Sequence, residues 1–213
     1  MPSRPLVCVQ LPDLKSAPRV LSEALDGDAQ GVRRRAGWSW TRRSLLSASD
    51  EMMQTNRRPP TLLILVGPKG SGKTHVGTIV ERRFGIRFLR VEPIFLDHET
   101  FLGAATEVQR QIELSLAAGH SVIIESTGAA PDYVQSLQDR HERVRLVQVR
   151  ASSETCFRRF KARDASQHIP VSDEQFHEIN ARAARAAFDW DCVLDNDVDL
   201  ADEDIAQLIA RVL

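Results

Sequence analysis

Residues 67–74 read GPKGSGKT, and this stretch decides the architecture. It fits G-x-x-x-x-G-K-[ST], with Gly67, Gly72, Lys73 and Thr74 in the fixed positions. Glycines let backbone N–H groups turn inward around phosphates, the lysine reaches the β- and γ-phosphates, and the threonine hydroxyl ligates Mg²⁺. A nucleotide cradle is therefore expected over Gly67, Pro68, Lys69, Gly70, Ser71, Gly72, Lys73 and Thr74. The backbone of His75 continues it, with the ring expected to face outward. Before the motif stands TLLILV (61–66), an apolar run suited to a buried strand. After it, Val76, Ile79, Val80 and Phe84 keep helical spacing, and Gly85 supplies a stop signal. Strand, loop and helix in that order are the setting the motif requires.

Working outward, the rest of the chain from residue 61 alternates between strands and helices. Residues 85–93 (GIRFLRVEP) predict a second strand, and the face made by Phe101, Ala105, Val108, Ile112 and Leu116 predicts a helix over 99–118. SVIIE (121–125) predicts a third strand, and PDYVQSLQDR (131–140) a short helix opened by its proline. RVRLVQVRA (143–151) predicts a fourth strand. A basic region and a helix bearing Phe176, Ile179 and Ala183 follow. CVLDND (192–197) predicts the fifth strand, and residues 201–213 the closing helix. Strands separated by helices mean parallel crossovers, hence a doubly wound α/β sheet with helices on both faces. Ligands on such sheets bind at the carboxyl ends of the strands.

Those strand ends supply the candidate side chains. Glu125 ends the third strand, where a carboxylate supports a Mg²⁺ held by Thr74. Small residues follow it, among them Thr127, Gly128 and Ala129, leaving room for an acceptor molecule. Glu92, at the predicted end of the second strand, is placed to accept a hydrogen bond or proton from an acceptor hydroxyl; a plain surface acid is the alternative. Arg158, Arg159, Lys161 and Arg163 crowd one stretch after the fourth strand. There, arginines suit neutralising a transferring phosphoryl group, although a solvated helix face would look the same. Arg182, Arg185 and His168 are weaker candidates for the same site.

Residues 1–58 follow another pattern. Scattered prolines and NRRPP (56–60) separate them from the domain at 61–213, as an irregular or helical extension with short helices expected near 15–25 and 42–55. Trp38 and Trp40 stand among Arg33, Arg34, Arg35, Arg42 and Arg43. That composition suits either stacking on nucleic acid or packing on the main domain with solvated arginines. The 28 basic and 29 acidic residues leave a net charge of −1, so no global field favours nucleic acid or an anionic membrane. Cys8, Cys156 and Cys192 are too few and too far apart for a disulfide framework or a zinc site. No stretch approaches the ~18 apolar residues of a membrane span, and the N-terminus lacks the pattern of a secretory signal. A soluble cytoplasmic protein is the expectation; the oligomeric state is left open.

On GPKGSGKT, the ordered strand ends, the TGAA run (127–130) and the basic segment, residues 61–213 resemble the small P-loop kinases of the shikimate, gluconate and nucleoside-monophosphate kinase group. The resemblance implies a three-layer P-loop NTPase fold with a five-stranded parallel sheet in the order 2-3-1-4-5. It also implies ATP with Mg²⁺ as donor, a small-molecule hydroxyl or phosphate acceptor, and Arg158, Arg159 and Arg163 as lid arginines. Shikimate kinases carry a D-x-D pair after the second strand, where this chain has Arg90, Val91 and Glu92. Their triple glycine is here Gly128, Ala129 and Ala130, and HIP (168–170) stands closer to zeta-toxin-like kinases. Donor chemistry is therefore implied more firmly than the acceptor. Two alternatives accompany it: a kinase acting on a nucleotide-sugar or polynucleotide, and a nucleotide-dependent switch without acceptor turnover.

Overall fold

The computed structural model describes residues 59–163, 168–198 and 200–213. The helices expected near 15–25 and 42–55, and the Trp38 and Trp40 region, lie outside them. The central strand β1 (Leu62–Val66) is buried along its whole length, because helices cover both faces of the sheet. Its side chains divide between two cores. Leu63 and Leu65 join Val76, Ile79 and Val80 of α1 (Lys73–Phe84), together with Ile205 and Ile209 of α7 (Asp202–Ala210). Leu62, Ile64 and Val66 join Val108 and Ile112 of α3 (Phe101–Ala117), together with Val134 and Leu137 of α4 (Pro131–Arg140). Period-two strands and period-3.6 helices produce this sorting directly.

The remaining strands are β2 (Arg87–Leu89), β3 (Val122–Ser126), β4 (Val144–Arg150) and β5 (Cys192–Asp195). All pairings are parallel, in the order β2-β3-β1-β4-β5. β1 thus lies where the chain's excursions to the two sides diverge, the crevice in which open α/β sheets bind ligands. In register, Leu65 pairs with Glu125 and Val66 with Ser126, so the acid at the end of β3 stands beside the start of the loop at 67–72.

The second strand is shorter than expected. It stops at Leu89, and α2 (Val91–Asp97) begins immediately after Arg90. Pro93 is compatible with that start, because it lies in the first turn, where its missing N–H costs nothing. Glu92 consequently sits in the first turn of α2 and not on a strand. After β4 comes a regular helix, α5 (Ser153–Ala162), where the Ser152 hydroxyl accepts the Thr155 N–H. A capping box at Ser172 and Gln175 opens α6 (Asp173–Ala183). No helix among the described residues is long and apolar enough to cross a membrane.

Candidate nucleotide and acceptor site

The loop between β1 and α1 is held from below by close backbone approaches. Gly70 and Gly72 have φ of 85° and 95°, in the left-handed region. A Cβ on Gly70 would stand 2.2 Å from the Cys156 carbonyl oxygen, and one on Gly72 would stand 2.2 Å from Asn196 Nδ2. The loop therefore rests on α5 and on the residue after β5, and only glycine fits at either point. Asn196 Nδ2 also donates to the Ser71 carbonyl (2.7 Å), while Arg159 Nη1 donates to the Asn196 carbonyl (2.9 Å). On the other flank, Asn180 of α6 grips the Lys69 peptide at both ends. Its Oδ1 accepts the Lys69 N–H (2.7 Å), and its Nδ2 donates to the Lys69 carbonyl (3.1 Å).

Lys73 is only 7 % exposed, and its Nζ donates to the carbonyls of Gly67 (2.8 Å) and Pro68 (2.9 Å). Burial pushes its ammonium down to about 8, against the opposing pull of the Glu125 carboxylate. The Thr74 hydroxyl donates to Glu125 Oε2 at 2.9 Å, which brings together two hard oxygens from the start of α1 and the end of β3. Lys69 Nζ lies 2.9 Å from Glu92 Oε1, and His168 Nδ1 donates to Glu92 Oε2 at 2.5 Å. Burial raises the Glu92 carboxyl, but Lys69 and the His168 hydrogen bond outweigh it and hold the group below its usual range. Arg163 lies over the Phe160 ring, 4.7 Å from its centroid. Burial lowers its guanidinium, while Glu92 and Glu125 act in the opposite sense.

These groups surround one cavity of about 220 Å³. Lys69, Gly70, Gly72, Lys73, Thr74, Glu92, Glu125, Thr127, Arg159, Arg163 and His168 line it, with Val91 and Ser126. Arg158 is brought elsewhere: it is exposed on α5 and does not line the cavity. Arg182 pairs with Glu178 on the outside of α6, and Arg185 is exposed. The His75 side chain is exposed, with Nε2 3.7 Å from Asp202 Oδ1, away from the cavity. Gly128 is buried against Val66, and Ala129 N–H donates to Thr127 Oγ1, so both stand beside the lining rather than in it. Burial pushes the Cys156 thiol up, so it stays protonated beneath the loop.

Three contributors escaped the sequence reading. Asn180 stands 111 residues from its partner and has no local signal. Asn196 directly follows the fifth strand in CVLDND, and a strand-end position is the signal that marks it. The pairing of Lys69 and His168 through Glu92 needs three segments brought together, which spacing does not reveal.

A family profile described as AAA domain (AAA_33) matches residues 62–186. No curated protein matches the chain. Among solved structures, a sugar kinase from Janibacter sp. HTCC2649 superposes with a TM-score of 0.58 at 17 % identity, covering 72 % of this chain and 94 % of that one. The APS kinase of Mycobacterium tuberculosis, in complex with AMPPNP and APS, superposes with a TM-score of 0.51 at 17 % identity, covering 72 % of this chain and 97 % of that one. The Pnkp1/Rnl/Hen1 RNA repair complex contains a chain that superposes with a TM-score of 0.53 at 16 % identity, covering 62 % of this chain and 47 % of that one. At such identities the likeness is one of fold, and the fold is that of the small P-loop kinases.

Proposed function

The chain belongs to the AAA domain family AAA_33, and from that footing we propose that it is an ATP-dependent phosphotransferase acting on a small-molecule acceptor. The observation that carries this reading is the convergence of Lys73, the Thr74–Glu125 pair, Arg159 and Arg163 on one cavity beside the glycine loop. A loop that requires glycine at 70 and 72 and lines the cavity suits polyphosphate, and the Thr74 and Glu125 oxygens suit Mg²⁺. Bound there, Mg²⁺ would neutralise charge on the β- and γ-phosphates. The loop amides would hold those phosphates, with Lys73 turning from the Gly67 and Pro68 carbonyls toward the transferring group. Arg159 and Arg163 would bear on the same group from the α5 side and exclude water. In the transfer, an acceptor oxygen bonds to the γ-phosphorus while the bond to the ADP oxygen breaks, and the acceptor proton leaves to solvent. Such chemistry is mostly positioning and electrostatics, so no protein nucleophile is needed. With ATP as donor, the cytoplasm is the compartment we assign.

The test is ADP release from Mg·ATP across sugars, nucleosides, nucleoside monophosphates, shikimate and 5′-hydroxyl oligonucleotides, with Lys73→Ala protein as the blank. One acceptor should stimulate release strongly, and the variant should lose about 2 kcal/mol or more of transition-state stabilisation, roughly thirtyfold in rate. Nucleotide binding with only slow, acceptor-independent hydrolysis would move the protein into the class of switches.

A further inference from the structure

We infer that the acceptor part of the cavity takes an uncharged polyhydroxyl compound, a sugar or a nucleoside, and disfavours acceptors bearing a carboxylate or phosphate. This inference rests on the phosphotransferase reading and adds the acceptor's charge class to it. The carrying feature is the joining of Lys69, Glu92 and His168 from three separate segments: the glycine loop, the first turn of α2, and the stretch before α6. Their side chains are 11 %, 20 % and 26 % exposed, so little water is left to screen them. Asn180 anchors the Lys69 backbone at its N–H and its carbonyl, and Glu92 holds the ammonium at 2.9 Å.

Each oxygen of Glu92 already holds a partner from this chain, Lys69 Nζ on one and His168 Nδ1 on the other. The Lys69 charge is thereby matched within the protein. Lys73, Arg159 and Arg163 are the further cations lining the cavity among the described residues, and a bound triphosphate with its divalent cation draws on these. A carboxylate or phosphate on the acceptor would meet Glu92 as a like charge, and would lose its hydration without a further matching cation among the described residues. A hydroxyl group both donates and accepts, and so does the wall it would meet. Glu92 accepts, the remaining Lys69 N–H bonds donate, and the Thr127 hydroxyl does either. Val91, at the start of α2, adds an apolar surface for the C–H face of a ring.

The experiment is calorimetric titration of the full chain loaded with Mg·AMPPNP, using matched pairs that differ by one anionic group. Suitable pairs are glucose and glucose 6-phosphate, glucitol and gluconate, and adenosine and adenosine 3′-monophosphate. The uncharged member of at least one pair should bind about tenfold more tightly or better, a difference of roughly 1.4 kcal/mol. Glu92→Gln releases the Lys69 charge and should narrow or invert that preference. If that variant does not fold, Lys69→Met asks the converse: with Glu92 less compensated, discrimination against the anionic member should widen. Tighter or equal binding of the anionic members overturns the inference, and preference for the 3′-monophosphate would point to a polynucleotide end. Binding of no member of any pair also overturns it. An uncharged compound that binds in this way without being phosphorylated supports the site while sinking the phosphotransferase reading.

Discussion

Gly72 and Lys73 show how single residues set the chemistry. Replacing Gly72 by alanine places a Cβ 2.2 Å from Asn196 Nδ2 at a φ of 95°. Either the Asn196 amide leaves the Ser71 carbonyl or the loop shifts at its left-handed residue, so nucleotide affinity measured by fluorescent-nucleotide titration should fall tenfold or more, about 1.4 kcal/mol, while far-UV circular dichroism stays unchanged. Unaltered affinity would mean that the loop does not form the cradle. Lys73 yields a pH signature. Between about 8 and its ordinary 10.5, the unfolded chain keeps a proton on this amine that the folded chain has lost. Stability therefore rises with pH across that window, and the cost of burying the charge is fully present below about 8. Lys73→Met removes this titration and also the bonds to the Gly67 and Pro68 carbonyls, so its stability relative to the native protein should fall by up to about 3 kcal/mol as pH rises from about 8 toward 10.5. Urea unfolding of both nucleotide-free proteins at several pH values checks this; a stability difference that does not change with pH sinks it.

Elements carry these residues to one place, and their ends mattered more than their middles. Helix α4 coincides with the expected 131–140, because Pro131 at the first helical position and an apolar face both mark it locally. β2 does not coincide with 85–93. It is a three-residue edge strand, and Val91, which alternation assigns to a strand, belongs to a helix that Pro93 permits. That shift turns Glu92 from a strand-end residue into a first-turn residue facing Lys69 and His168. α6 reaches the glycine loop through Asn180, whose amide makes two hydrogen bonds to the Lys69 backbone. Asn180→Ala leaves a partly buried N–H and C=O unpaired and should cost about 1–3 kcal/mol in urea denaturation. An unchanged unfolding midpoint would show that α6 does not brace the loop.

At the scale of the molecule, the described residues from 59 to 213 carry a sheet covered on both faces, with a core on each side. A fragment beginning at residue 59 should therefore fold cooperatively and bind Mg·ATP, as judged by thermal unfolding and nucleotide titration. Failure to fold would remove the proposed division of the chain near residue 58. Full nucleotide binding with acceptor transfer lost would instead favour the alternative of a macromolecular acceptor engaged through residues 1–58. Much of this architecture is local in origin. The glycine loop, the all-apolar β1, the helical faces and the alternation of strands with helices are dictated by neighbours in the chain, since backbone sterics and hydrophobic period act over a few residues. Thr74 and Glu125 were legible for the same reason: a motif and a strand end each mark their own position. The bonds of Asn180 and Asn196, the outward placement of Arg158, and the clustering of Lys69, Glu92 and His168 were not. The contacts among them join groups 23 to 125 residues apart at hydrogen-bond distance, and packing of the finished sheet and helices brings them there.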